Sequence, residues 1–322
     1  MTRPLLDVRD LAVHYRTAGW LGRSGPPVRA VEGVSFQIAA GETLGLVGES
    51  GCGKSSVGRT LLRLQEPTRG SALFEGRDLF RLTPAELRPL RRELQIVFQD
   101  PYSSLNPRRT VGASIAEGLE IHRMLPKAEQ PRRVGDLLAE VGLDPTAASR
   151  YPHEFSGGQR QRIGIARALA VEPKLIVLDE PVSALDVSVQ AQVLNLLLDL
   201  QQARGLAYLF IAHDLGVIRH VAHRTAVMYL GRIVEEGPTD DVLGAPRHPY
   251  TQALRSAVPE AVSGAAASRT ILLGDPPSPV APPPGCAFHP RCPGSAVDAR
   301  CRAERPALRP LDDQQVACHH AD

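Results

Sequence analysis

One stretch dictates most of what this chain can become: Gly48-Glu-Ser-Gly-Cys-Gly-Lys-Ser55, set between the apolar run Thr43-Leu-Gly-Leu-Val47 and a segment of helical spacing. A glycine, four residues and then Gly-Lys-Ser is the P-loop pattern, in which successive backbone N–H groups turn inward onto the phosphates of a nucleotide. Side chains on those glycines would block the approach. Val57, Thr60, Leu61 and Leu64 continue at helical spacing, so the loop joins a strand to a helix, the context it needs. The chain has three lysines, Lys54, Lys127 and Lys174, and 28 glycines in 322 residues. At that composition chance supplies the pattern in about two chains per thousand, so a plain glycine-rich turn is the poorer reading. Lys54 is expected to reach the β- and γ-phosphates and Ser55 to ligate Mg²⁺, with the helix from Lys54 aiming its positive end at the same anion. The candidate ATP-binding residues here are Gly48, Glu49, Ser50, Gly51, Cys52, Gly53, Lys54, Ser55 and Ser56.

Bulk composition excludes more than it assigns. Lys+Arg 37 against Asp+Glu 35 gives no basic field, which argues against an extended nucleic-acid-binding surface. No stretch of about eighteen apolar residues exists and Met1 opens no signal-peptide pattern, so a cytosolic chain is expected, with any membrane role passing through a partner. Its length suggests one large core plus an appendage. Four of the 5 cysteines, Cys286, Cys292, Cys301 and Cys318, lie near the end of the sequence; in a reducing cytosol such clustering favours metal binding over disulfides.

Residues 5–15 alternate as a strand ending at Tyr15, a polar Gly/Pro loop runs from Arg16 to Pro27, and Ala30 to Ile38 reads as a second strand. Thr43 to Val47 is the buried strand into the loop. Residues 70–80 read as a strand and turn, and Thr83 and Glu86 as a capping box opening a helix that ends before Glu93. Leu94 to Gln99 is an apolar strand with glutamine at its end, broken by Asp100 and Pro101. Residues 110–150 carry helical periodicity interrupted by Pro126, Pro131 and Pro145, as a small helical subdomain would, with Ile115, Leu119, Leu137, Leu138 and Val141 in its core.

Ser156 and Gln159 stand three apart at the start of a helix that must stop before Pro173, by itself an ordinary capping box. The next segment changes its weight. Leu175-Ile-Val-Leu-Asp179-Glu180 is an apolar run ending in two carboxylates, the pattern of a buried parallel strand, and such sheets bind ligands at strand carboxyl ends. Ser183 to Asp186 turns into a helix with Val189, Val193, Leu194, Leu197 and Leu200 on one face, and Ala207 to Ala212 is another buried strand. A histidine at a strand end is usually structural. His213, however, is the fourth strand-end polar group on the side expected to face the phosphates, after Lys54, Gln99 and the pair at 179–180.

In this order, Gly48 to Ser55, Gln99, Ser156 to Gln159, Asp179 and Glu180, Asp186 and His213 closely resemble the nucleotide-binding subunits of ABC transporters over about residues 5–240, with Phe155 in place of the usual leucine. The fold class implied is α/β: an ABC-type P-loop NTPase domain over residues 1–240, a helical subdomain inserted at about 100–165, and a small cysteine-containing extension over 241–322. The resemblance implies that Tyr15 stacks on adenine, that Asp179 and Gln99 join Ser55 around Mg²⁺, that Glu180 polarises the attacking water and that His213 positions it. It also implies that Ser156, Gly157, Gly158 and Gln159 clamp the ATP of an opposite subunit, with Asp186 at the dimer seam.

From Gly237 the composition shifts to proline, alanine and glycine, so a linker and a small module are expected. His248-Pro-Tyr-Thr251, by itself a turn, and the tail Pro282-Pro-Pro-Gly-Cys286-Ala-Phe-His-Pro-Arg-Cys292 resemble the C-terminal extension of ATPase subunits from dipeptide and oligopeptide importers, a group that also serves nickel. The resemblance implies a homologous or identical ATPase partner, two transmembrane permease subunits, an extracytoplasmic solute-binding protein, no nucleic acid, and a peripheral place on the cytoplasmic face of the membrane. Cysteine spacings of five, eight and sixteen residues match neither a zinc ribbon nor a ferredoxin run and support only a four-thiolate site. Within the resembled group that tail implies a [4Fe–4S] cluster, with zinc and then free buried thiols as alternatives. A soluble ABC ATPase of DNA repair or translation is the competing function. Against it stand the short span from Lys54 to Ser156, which has no sustained heptads, and the single P-loop. A P-loop kinase would not need Ser156 to Gln159.

Overall fold

A computed structural model of the chain describes residues 3–16, 25–100, 104–257, 272, 274–293 and 297–321, which fall into two compact units. Most of the loop expected from Arg16 to Pro27, and Pro101, lie outside the described residues.

The first unit comprises residues 1–38, 43–80 and 212–322. Its antiparallel sheet has the order β2-β1-β4-β5, from β1 (Leu6–Tyr15), β2 (Val28–Ile38), β4 (Arg69–Phe74) and β5 (Arg77–Asp78). The register Leu6↔Ile38 and Val8↔Phe36 puts alternate apolar residues on one face, and all four are buried. A second row of strands begins at β3 (Thr43–Val47), buried at every position, which pairs in parallel with β9 (Arg224–Tyr229). It continues through β10 (Arg232–Pro238) and β12 (Gln314–Val316) to β11 (Arg309–Leu311), all antiparallel. The proline-rich composition from Gly237 therefore begins inside a strand, and residues near the end of the sequence return to pair with it.

Helix α1 (Lys54–Leu61) follows β3 and buries Val57, Thr60 and Leu61. Leu64, expected on the same face, lies beyond the helix end and is 54% exposed, because Arg63 takes a left-handed φ of 51° that stops the helix.

The second unit comprises residues 39–42 and 81–211. It carries helix α2 (Pro84–Glu93), which runs through Glu93 and opens on the expected Thr83 and Glu86 capping box. Strand β6 (Leu94–Val97), β7 (Leu175–Asp179) and β8 (Ala207–Ala212) run parallel, with Val97 opposite Leu178 and Asp179 opposite Ile211. Helices α3 (Val111–Ile121) and α4 (Gln130–Glu140) fill the stretch read as helical, with Ile115, Leu119, Leu137 and Leu138 buried. Helix α5 (Gly157–Leu169) and α6 (Val187–Arg204) complete the unit.

In the first unit α7 (Leu215–Val221), α8 (Thr239–Gly244), α9 (Pro249–Ser256) and α10 (Ala299–Ala303) follow. His248 to Thr251 is no turn but the start of α9. Glu235 explains it: this fully buried carboxylate accepts the N–H groups of Arg247 (2.6 Å) and His248 (3.1 Å), and His248 Nδ1 caps the helix by accepting from Tyr250 N (3.0 Å).

Candidate functional site: the phosphate loop and its companions

The loop between β3 and α1 is shaped by the protein's own backbone. At Gly48 (φ 153°) a Cβ would lie 2.1 Å from the Met228 carbonyl oxygen, and at Gly53 (φ 107°) 2.0 Å from that of Ala30. These glycines are thus demanded by close packing within the unit, a reason separate from phosphate access. Lys54, 4% exposed, donates from Nζ to Gly48 O (2.7 Å) and Glu49 O (3.0 Å). Cys52 is buried with Sγ 3.9 Å from that nitrogen; burial pushes its thiol up, with Lys54 pulling the other way. Ser55 is half-buried, and Ser50 and Gly51 are exposed. Tyr15, at the end of β1, shares a 3.0 Å hydrogen bond between its hydroxyl and Ser56 Oγ, so the structure brings the expected adenine residue to the loop.

Glu49 is held by residues that sequence reasoning missed. Its N–H donates to Tyr250 Oη (2.9 Å), and its carboxylate accepts two bonds from Arg291, Nη1 at 2.7 Å and Nη2 at 3.0 Å. These partners are 201 and 242 residues away, beyond the reach of any local pattern.

In the second unit the parallel register brings strand ends together. Asp179 closes β7 and is 2% exposed. Glu180 sits just beyond it with a left-handed φ of 50°, a conformation that costs a non-glycine residue on the order of 1 kcal/mol and clusters at functional positions. Its N–H donates to Ile211 O (3.0 Å), and Gln99 Nε2 donates to its Oε2 (2.9 Å). Gln99 and Glu180 are therefore paired. His213, which belongs to the first unit, follows Ala212 and is exposed.

Ser156 and Gln159 form the expected capping box: Ser156 Oγ accepts from Gln159 N (3.4 Å) and Gln159 Oε1 from Ser156 N (2.9 Å). Both are exposed and Gly157 is half-buried. Gly158 is buried, and a Cβ there would lie 2.2 Å from Val189 Cγ1, so α5 and α6 approach closely. Asp186 caps α6, accepting from Val189 N (3.0 Å) and Ser188 Oγ (2.9 Å); the Val189 N–H leads in holding its carboxyl below the usual range. Beside it Val187 is 83% exposed.

Cys286, Cys292, Cys301 and Cys318 line one cavity of about 260 Å³, and none of the four is joined in a disulfide. Burial raises Cys286 and Cys301 and, together with the neighbouring thiols, pushes Cys292 up to about 11, so a bound cation would displace protons. The donor set fits a thiolate-bound group. Asp298 and His320 escaped the sequence reading: their ligand atoms and that of Cys301 lie within 4.8 Å of one another. Among the described residues no helix is long and apolar enough to cross a membrane.

Residues 31–183 match the ABC transporter family, and residues 234–301 match the C-terminal region of oligopeptide/dipeptide transporters. A probable peptide ABC transporter ATP-binding protein of Sinorhizobium fredii is 58% identical over 321 residues, covering 99% of this chain and 90% of its own. A di/tripeptide transport ATP-binding protein of Pseudomonas aeruginosa is 51% identical, covering 99% of this chain and 98% of its own. Among solved structures, a dimeric ATP-binding cassette in a post-hydrolysis state with ADP and Pi superposes with a TM-score of 0.65 at 27% identity, over 73% of this chain and 98% of its own. A cassette protein of Clostridium perfringens, part of an ABC transporter complex, gives a TM-score of 0.64 at 26% identity, over 76% of this chain and 92% of its own. The phosphate loop, the Gln99 and Glu180 pair, the capped helix at Ser156 and these likenesses place the chain in the family of ABC transporter ATP-binding proteins.

Proposed function

We propose that this chain is the ATP-hydrolysing subunit that energises import of di- or oligopeptides, or of a related substrate such as nickel, through a membrane ABC transporter. The observation that carries the reading is the presence, in one chain, of a complete phosphate loop and a C-terminal region of the oligopeptide/dipeptide type. A soluble ATPase of DNA repair or translation would have no use for that region. In this reading the ATPase domain spans 1–240 and the extension 241–322. The chain sits at the cytoplasmic face of the membrane, pairs with a homologous or identical ATPase, and serves two permease subunits and an extracytoplasmic binding protein.

The residue roles in this reading are those that the likeness to the ABC transporter family implies. The loop N–H groups and Lys54 bind the β- and γ-phosphates of ATP, and Tyr15 stacks on its adenine. Ser55, Gln99 and Asp179 would hold Mg²⁺, which supplies neutralisation of phosphate charge. Glu180 accepts a hydrogen bond from the attacking water and draws off its proton, and His213 orients that water toward the γ-phosphorus. Ser156, the N–H groups of Gly157 and Gly158, and Gln159 close the partner's nucleotide, with Asp186 at the seam. Cys286, Cys292, Cys301 and Cys318 would hold a [4Fe–4S] cluster, with zinc as the alternative; such a group cross-links the segments that carry its ligands.

Two measurements test the reading. Uptake of labelled dipeptides by cells expressing the chain with its permeases should require Lys54, and uptake that persists in Lys54→Ala would overturn it. The purified chain should show a broad visible absorbance lost in Cys292→Ser, whereas colourless protein with stoichiometric zinc would replace cluster by zinc.

A further inference from the structure

We propose that Arg291 and Tyr250 are positioning residues of the nucleotide site, holding the phosphate loop in its ATP-binding shape through Glu49. The inference rests on the reading of that loop as the ATP site.

Every polar group of Glu49 is engaged, its N–H and carboxylate outside the loop and its carbonyl within it. Its N–H goes to Tyr250 Oη (2.9 Å) and its carboxylate to both terminal nitrogens of Arg291. Its carbonyl accepts from Lys54 Nζ (3.0 Å) and from Cys52 N (3.3 Å). The side chain and N–H of Glu49 are thus gripped by Arg291 and Tyr250, while its carbonyl accepts from the lysine.

The grip is built rather than incidental. Tyr250 is fully buried and the Arg291 side chain is 7% exposed, while the Glu49 side chain they hold is 27% exposed, so the donors are shielded from bulk water more than the carboxylate is. Bidentate guanidinium–carboxylate pairs fix orientation as well as distance. The tyrosine ring lies 4.7 Å from that of Tyr229 and 5.4 Å from that of Phe288, centroid to centroid, and the Tyr229 ring lies 5.2 Å from Phe288. Tyr229 ends β9, the strand paired with β3, so the aromatic cluster stands on the strand row that feeds the loop. The Glu49 N–H is committed to Tyr250 and the Cys52 N–H to the Glu49 carbonyl, so phosphate draws on the other N–H groups of the loop. Arg291 also closes the short 3₁₀ turn His289–Arg291 and immediately precedes Cys292, which makes the cysteine-bearing segment part of the loop's support.

A positioning role separates affinity from chemistry. In the full-length chain, equilibrium binding of ATP should weaken about fivefold in Tyr250→Phe, which loses one hydrogen bond, and about tenfold in Arg291→Met, which loses two. In the assembled transporter KM for ATP should rise in step while kcat at saturating ATP stays within about twofold. Arg291→Lys, which keeps the charge but loses the fork, should restore part of the affinity. Arg291→Met made on a Glu49→Gln background should add little, since the carboxylate that Arg291 grips is already gone. Tyr250→Phe is isosteric, so its melting temperature controls for folding. Wild-type affinity in both Tyr250→Phe and Arg291→Met, or a fall in kcat with KM unchanged, would overturn the clamp while leaving the ATP site intact. Failure of the folded wild-type chain to bind ATP would instead overturn the reading on which it rests.

Discussion

The phosphate loop and the helix start at Ser156 are both rich in glycine, yet the structure builds them differently. The loop is held by distant segments: the carbonyls of Met228 and Ala30 leave no room for a Cβ at Gly48 and Gly53, and Glu49 is gripped by Tyr250 and Arg291. The Ser156 end is closed locally, by a capping box whose two members stay exposed, with the buried Gly158 packed on Val189 of α6. In the proposed reading the loop serves its own chain's nucleotide and the Ser156 end a partner's, and the second carries the more open face.

The contrast can be broken at several points. Gly48→Ala should have the largest effect: a Cβ 2.1 Å from a carbonyl oxygen cannot be relieved by side-chain motion, so we expect destabilisation of about 3 kcal/mol or more and loss of ATP binding, read by thermal unfolding and nucleotide titration. Glu180→Gln should lower turnover of the assembled transporter by at least about 100-fold while ATP binding persists; unchanged ATPase would remove Glu180 from its role. Gly51→Ala sharpens the comparison, because nothing lies within 4 Å of its Cβ position and only the φ of 78° is strained; a cost of about 1 kcal/mol is expected by denaturant melts. Ser156→Ala should cost at most about 1 kcal/mol of stability and leave ATP binding by the single chain unchanged, while abolishing ATP-dependent pairing seen by light scattering. Equal loss of single-chain binding would place Ser156 at its own nucleotide. Smallest of all, the buried Cys52 thiol should react slowly with maleimide at neutral pH, and fast labelling would show that the loop opens.

Local chemistry was legible in the residues. β3, β7 and β8 are buried apolar runs whose ends coincide with the expected Val47, Asp179 and Ala212, and both capping boxes at Thr83 and Ser156 form as spaced. What escaped depends on distant partners. His248 to Thr251 looks like a turn until Glu235 supplies a buried carboxylate for its N–H groups. The reason for Gly48 and Gly53 lies in Met228 and Ala30, and the hold on Glu49 comes from residues more than two hundred positions later. Leu64 keeps the helical period but not the helix, because a left-handed Arg63 ends the regular backbone first. Periodicity reports which face is apolar; it says nothing about which far segment will arrive to satisfy a polar group.

The 242-residue separation between Glu49 and Arg291 has a consequence for biogenesis. While the polypeptide is still emerging from the ribosome, the Gly-Lys-Ser turn is made long before the arginine and tyrosine that brace it. A nascent chain that has not yet reached Arg291 therefore carries the loop without this brace and should hold ATP more weakly than the finished fold.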